Sequence, residues 1–319
     1  MSIDITRQPV SFTSSDGDTT IHGYIWSDST NEAPNGIVQI AHGMAEHIER
    51  YDDFARYLVE NGFIVAGHDH LAHGKSVSES AQWGCLDAHD GMTHLVEDMH
   101  RMRKLVKDQM PAGTPYFVFG HSMGSFVVRS YITKHGDGLA GAIICGTGHM
   151  GGATASAGRV LACCLAAMRG KGHESKLLDS MGVGAYNKKI KNPRTPVDWL
   201  SYNEENVDAY VADDACGFMF PAGGYATVIG LMKEVCSKAS AAAVPLDLPV
   251  LFISGADDPV GAMGNGVRTT VNMMRAAGVR DIESHIYRDM RHEILNETDN
   301  ARVYSDVLSW LKAHARKGE

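Results

Sequence analysis

Hydrophobic positions along the chain follow two alternating rhythms. Ser11 to Trp26 reads as two strands around the turn Asp16-Gly17, a hairpin signal that predicts an antiparallel edge at the start of a sheet. Beyond it the apolar runs Ile37 to Ala41, Phe63 to Ala66, Tyr116 to Phe119, Ala140 to Cys145, Val250 to Ser254 and Ile282 to Tyr287 lack strict alternation, as strands buried on both faces do. Between them the spacing turns helical at Tyr51 to Glu60, Gly91 to Gln109, Ser125 to His135, Arg268 to Ala277 and Ala301 to His314. Strands alternating with helices predict an α/β protein with a mostly parallel, doubly wound sheet.

One interval breaks the rhythm. From Gly146 to Val244 there is no convincing core strand and several helix-like pieces, a span too long for a loop. The expected organisation is therefore a core formed by residues 1–146 and 245–319, with an inserted helical cap at 147–244 on the side of the sheet where the strands end. Within that insertion Val160 to Met168, flanked by Arg159 and Arg169, is expected to be a helix packed over the core, with transient contact at a membrane interface as the alternative.

Composition narrows the functional classes. At 319 residues, 44% hydrophobic, the chain can bury a large core, and a net charge of -9 gives no reason to expect nucleic acid or a strongly anionic membrane as partner. The six cysteines, at 85, 145, 163, 164, 216 and 236, form no C-x-x-C pair and lie mostly in apolar runs, so they predict buried free thiols and a reduced, cytoplasmic protein. Met1 to Ser15 carries Asp4 and Arg7 and no apolar h-region, and no stretch approaches the roughly 18 apolar residues of a membrane span.

Gly120-His121-Ser122-Met123-Gly124 supplies the candidate chemistry, because it follows the apolar run ending at Phe119 and opens a helical pattern. Strand, sharp turn and helix are the context in which G-x-S-x-G makes a nucleophile elbow, the flanking glycines being needed where the turn crowds its neighbours. Ser122 is the candidate nucleophile, and a serine hydroxyl needs a base. Among 16 histidines, His292 stands just past the last strand pattern, whereas His285 sits inside that strand and is expected to be packed, and His121 on the elbow is expected to point away from the hydroxyl. The imidazole needs an acceptor to hold its tautomer. Asp258 is preferred because the following proline fixes the turn, with Asp257 as the alternative. The order Ser122, Asp258, His292 is that of α/β-hydrolases. Oxyanion donors are expected from the backbone N–H groups of Met123 and of Met44, after the strand Ile37 to Ala41.

His42-Gly43-Met44-Ala45-Glu46-His47, Arg50-Tyr51, Asp69-His70-Leu71-Ala72-His73-Gly74-Lys75-Ser76, the Gly-His-Ser-Met-Gly elbow, Gly255 to Val260 and Arg291-His292-Glu293 together resemble the monoacylglycerol lipase and lysophospholipase branch of the α/β-hydrolases, the serine aminopeptidase-like group. The resemblance spans about residues 35 to 145 and 245 to 315. It implies the α/β-hydrolase fold, Ser122, Asp258 and His292 as triad, and the Met44 and Met123 amides as oxyanion hole. Ala72 and Ser125 depart from the family, which usually has glycine at both places. Glu46 and Arg50 are expected to be structural polar partners rather than reactants.

The expected protein is a serine carboxylic-ester hydrolase working through an acyl-enzyme, without metal or cofactor, since nucleophile, base and oxyanion donors all come from protein. Monoacylglycerols and lysophospholipids follow from the resemblance; small acyl esters or hydroxycinnamate-type aromatic esters fit a polar cap, and an acyltransferase or a non-catalytic ligand-binding relative are the rival classes. Phe218, Met219, Phe220 and Tyr225 are candidates to line a substrate pocket, or to form the core of the insertion.

Overall fold

The computed structural model describes residues 4–31, 33–78 and 82–315. Its first two strands, β1 (Ile5–Thr13) and β2 (Thr20–Asp28), pair antiparallel from Ile5 opposite Asp28 to Thr13 opposite Thr20, with Asp16-Gly17 in the connecting loop. The hairpin starts earlier than its apolar signal because β1 is an edge strand, exposed along most of its length. Six further strands follow: β3 (Gly36–Ala41), β4 (Phe63–His68), β5 (Tyr116–His121), β6 (Gly141–Cys145), β7 (Val250–Gly255) and β8 (Ile282–Tyr287). They form one eight-stranded sheet in the order β1-β2-β4-β3-β5-β6-β7-β8, antiparallel only at β1/β2 and β2/β4. Every residue of β3 to β7 is buried, which is why these strands read as continuous apolar runs rather than alternating ones.

The helices cover both faces. In chain order they are α1 (Asp52–Glu60), α2 (Gly91–Lys107), α3 (Met123–His135), α4 (Gly152–Arg169), α5 (Lys176–Met181), α6 (Glu204–Ala212), α7 (Ala222–Val235), α8 (Lys238–Ala242), α9 (Asn265–Ala276) and α10 (Asn300–Ala315). One core lies under α1 and α10, with Phe54, Phe119 and Trp310 in it; the other, larger core joins α2, α3 and α9 to the inner faces of α4 and α7. Helices α4 to α8 all lie between β6 and β7, so the span without core strands is a helical insertion that leaves and re-enters the sheet at adjacent strands.

Two expectations need correction here. Only Cys145 and Cys216 are buried among the six free cysteines; Cys164 is exposed and the rest are intermediate. The apolar run Val160 to Met168 is only partly packed: α4 buries the small residues Ala155, Ala162 and Ala166, mainly against α7, while Val160 is 62% and Met168 80% exposed. Helix α4 meets α7 through small side chains, with Leu161, Cys163 and Leu165 partly buried beside them and Val160, Cys164 and Met168 on its outward face; Cys85 lies in a loop and Cys236 caps α7, where neither is enclosed. Among the described residues no helix is long and apolar enough to cross a membrane.

Candidate active site

Strand β5 runs through the middle of the parallel sheet and ends one residue before Ser122, which caps α3. Ser122 holds φ 53°, ψ -118°, a backbone conformation that costs of order 1–3 kcal/mol and must be imposed by its surroundings. Those surroundings are specific. The Ser122 N–H donates to the Cys145 carbonyl at 3.0 Å, and the Ser122 carbonyl accepts from the Ser125 N–H at 2.9 Å and the Ser125 hydroxyl at 2.5 Å. Ser125 thus uses its departure from glycine to brace the turn. A Cβ on Gly124 would run into the carbonyls of Ala41 and His42, and one on Gly120 into the carbonyl of Gly124. The helix is pressed onto the end of β3 at the point where the next residues, Gly43 and Met44, turn past the serine: a Cβ on Gly43 would lie 3.2 Å from the Ser122 Cβ. Met123 is the first residue of α3, so its N–H is one of those a helix leaves without an intrahelical partner.

The loop after β7 carries Asp258, fully buried, whose Oδ1 accepts from the Val260 N–H at 2.8 Å and whose Oδ2 is 3.0 Å from His292 Nδ1. Asp257 instead accepts from the Tyr202 hydroxyl at 3.1 Å, at the surface, so Asp258 is the one of the two aspartates that meets His292. With Nδ1–H donating to Asp258, His292 keeps an acceptor lone pair on Nε2, and that buried atom has no hydrogen-bond partner among the described residues. Ser122, His292, Met44 and Met123 all line one cavity. The structure therefore brings together every residue that the sequence singles out for the chemistry. His285 is the exception to the histidine reading: its side chain is 41% exposed, because β8 is the far edge of the sheet.

Beneath the cavity lies a charged network. Arg50 reaches Glu46 at 2.7 Å and clasps Glu293 with two bonds of 2.7 and 2.8 Å, while Asn206 of α6 donates to the same Glu293 carboxylate at 2.6 Å. Glu46 also accepts from the Gly43 N–H and the Tyr51 hydroxyl. Burial works against ionised Glu46, but the hydrogen bond from His121 and the charges of Arg50 and His121 hold its carboxyl well below the usual range. Burial likewise opposes a charged His121, yet Glu46 more than offsets it and raises the imidazole above its ordinary value. His121 does turn toward Glu46, while its ring also stands 4.6 Å from that of His292 and touches the cavity wall. Glu46 and Arg50 are thus structural partners, as expected. Their third member, Glu293, was visible only as the neighbour of His292; nothing in the sequence of the insertion signalled Asn206, or Trp199, whose ring packs 5.0 Å from His292.

The cavity measures about 720 Å³ and most of its remaining walls come from the insertion, with Phe126 and Val260 added by the core. Phe218, Met219, Phe220 and Tyr225 all line it, and Phe220 and Tyr225 are at the same time buried in the core, so the two readings of these residues coincide. What the arrangement can do chemically is deprotonate a hydroxyl next to an apolar chamber.

Comparison with known proteins places this geometry. The model of the family described as serine aminopeptidase, S33 matches residues 32–299. The chain belongs to that family. It is 28% identical over 313 residues to a monoacylglycerol lipase of Mycolicibacterium smegmatis, covering 98% of this chain and 99% of that one. It is 25% identical over 286 residues to the human monoglyceride lipase, covering 87% and 82% of the two chains. The crystal structure of a highly thermostable carboxyl esterase from Bacillus coagulans in complex with glycerol superposes with a TM-score of 0.88 at 33% identity, covering 98% of this chain and all of that one. The fold of the family member described here is accordingly that of the α/β-hydrolases.

Proposed function

We propose that this protein cleaves carboxylic esters through a serine acyl-enzyme, with Ser122 as nucleophile, His292 as general base and Asp258 as its orienting partner. An ester hydrolase is what the carboxyl esterase and the monoacylglycerol lipase relatives support. The observation that carries the mechanism is the buried Asp258–His292 pair, whose free Nε2 shares one cavity with a strained serine. Ser122 Oγ attacks the ester carbonyl as its proton passes to His292 Nε2, and the Met44 and Met123 N–H groups receive the oxyanion. His292 returns the proton to the leaving alcohol; water then attacks the acyl-enzyme by the same route in reverse.

The chamber supports a lipid substrate class. A volume of about 720 Å³ walled by Phe218, Met219, Phe220 and Tyr225 suits a single acyl chain, as in a monoacylglycerol or lysophospholipid, and the insertion acts as the cap over it. Turnover of a p-nitrophenyl ester series, with intact mass after a fluorophosphonate probe, tests the reading. Expected are a rise of kcat/KM with acyl length and a covalent adduct, both absent in Ser122→Ala. A flat response across chain lengths, or preference for hydroxycinnamate esters, would overturn the lipid assignment; folded protein that neither turns over nor labels would overturn the serine mechanism.

A further inference from the structure

The segment that follows α6 doubles back onto the loop beside the serine. The Gly217 N–H and the Tyr210 hydroxyl both donate to the Ala45 carbonyl at 2.9 Å, next to Met44. At the edge of this contact three potential ligand atoms converge: His47 Nε2, an Asp213 carboxylate oxygen and Cys216 Sγ, all within 4.8 Å of one another. Asp213 and Cys216 are presented together by a tight turn, in which the Cys216 N–H donates to the Asp213 carbonyl at 2.9 Å and the Ala215 N–H to Asp213 Oδ1 at 2.9 Å. Asp213 Oδ2 lies 2.8 Å from His47 Nε2 across the gap between insertion and core. Burial disfavours ionised Asp213, but hydrogen bonds from His47, Ala215 and the Cys216 thiol outweigh it and hold its carboxyl below the ordinary value. A histidine–aspartate latch needs no thiol, yet here a buried one stands at the same carboxylate.

We propose that His47, Asp213 and Cys216 form a transition-metal site, of zinc type, that staples the insertion to the oxyanion loop. Imidazole, carboxylate and thiolate are the donors zinc selects, and three protein ligands leave the fourth tetrahedral position to water. Bond lengths of about 2.0–2.3 Å require ligand atoms roughly 3.3–3.6 Å apart, so the His47–Asp213 contact opens slightly and Cys216 closes in. On binding, the Cys216 thiol gives its proton to solvent, and the thiolate and carboxylate together neutralise the dication. Burial, with the carboxylates of Glu46, Asp213 and Glu293, raises the Cys216 thiol above its ordinary value and Arg50 offsets only part of that, so the metal ion itself must drive the deprotonation. Because Phe218, Met219 and Phe220 follow Cys216 after the single residue Gly217, an occupied site tethers one wall of the cavity. The site stands whether or not the ester-hydrolase mechanism does.

The test is a cobalt(II) titration of the chelator-treated full-length protein, followed by absorption. The expected result is one equivalent giving thiolate-to-cobalt charge transfer with the strong visible bands of four-coordination, displaced by zinc. Cys216→Ser should lose the charge transfer, and His47→Gln or, should that variant misfold, Asp213→Asn should weaken binding at least tenfold. Folded wild-type protein that gives no charge transfer would overturn the proposal. So would bands that survive in both Cys216→Ser and a ligand variant, which would place the ion on another thiol or at the group Asp281, Glu283 and His314.

Discussion

Ser122 owes its conformation to two neighbours that have no side chain and one that has a hydroxyl. The elbow glycines let backbone meet backbone, and Ser125 fastens the serine carbonyl. Ala72 shows the same pressure unrelieved: it holds φ 61°, a left-handed conformation that explains glycine as the family's usual residue there. The role of Asp258 is most sharply tested by Asp258→Asn, which keeps the shape but donates where it should accept, and so favours the wrong His292 tautomer. kcat for a p-nitrophenyl ester is expected to fall by about 10⁴ with KM little changed; a loss under tenfold would remove Asp258 from the mechanism. The proposed triad Ser122, Asp258 and His292 could be nominated from the sequence because each sits where an apolar strand pattern stops. The partners beneath them were less so, since Arg50 meets Glu293 across 243 positions of sequence and only folding brings them together.

At the scale of elements, the ends of β3 and β4 carry an unusual load: His42, His68, His70 and His73, all buried. His42 is fixed as a neutral tautomer, with Nδ1 bonded to the Gly43 carbonyl at 2.7 Å and Nε2 accepting from the His70 N–H at 2.9 Å. Burial pushes His68 and His73 down to about 4, and burial, with the neighbouring histidines, pushes His42 and His70 well below the ordinary value. The unfolded chain takes up these protons near pH 6.5, the folded one only much lower, so their contribution to stability is whole above about pH 6.5 and drains away toward pH 4. Each costs about 1.4 kcal/mol per pH unit within that window. His121, whose value is raised, works the other way but is one against four. Urea midpoints measured from pH 7.5 to 4.5 should fall steeply below 6.5; a flat profile would contradict the neutral cluster. The strand rhythm itself was readable because β3 to β7 are buried on both faces, whereas the facing of α4 was not, since an apolar run does not reveal how narrow a groove it must fit. As Met168 faces outward, Met168→Ser is expected to change stability by under about 0.5 kcal/mol in urea unfolding.

Across the whole molecule, Arg50 joins three separate stretches of chain: the loop beside the serine through Glu46, the segment after His292 through Glu293, and the insertion through Asn206. Deleting its charge strands two buried carboxylates. Arg50→Ala should lower the unfolding free energy by about 3–5 kcal/mol in denaturant titration, and a loss under 1 kcal/mol would mean that the network is incidental. The order of the proposed triad along the chain has one more outcome, set by time rather than space. Ser122 follows the fifth strand in the first half, whereas Asp258 and His292 follow the seventh and eighth strands, and a ribosome adding about 5–20 residues per second needs roughly ten to thirty seconds to travel from the serine to the histidine. Throughout that interval the nascent polypeptide displays a hydroxyl without a base, so the growing chain is chemically silent toward the cell's esters until its last strand has been made.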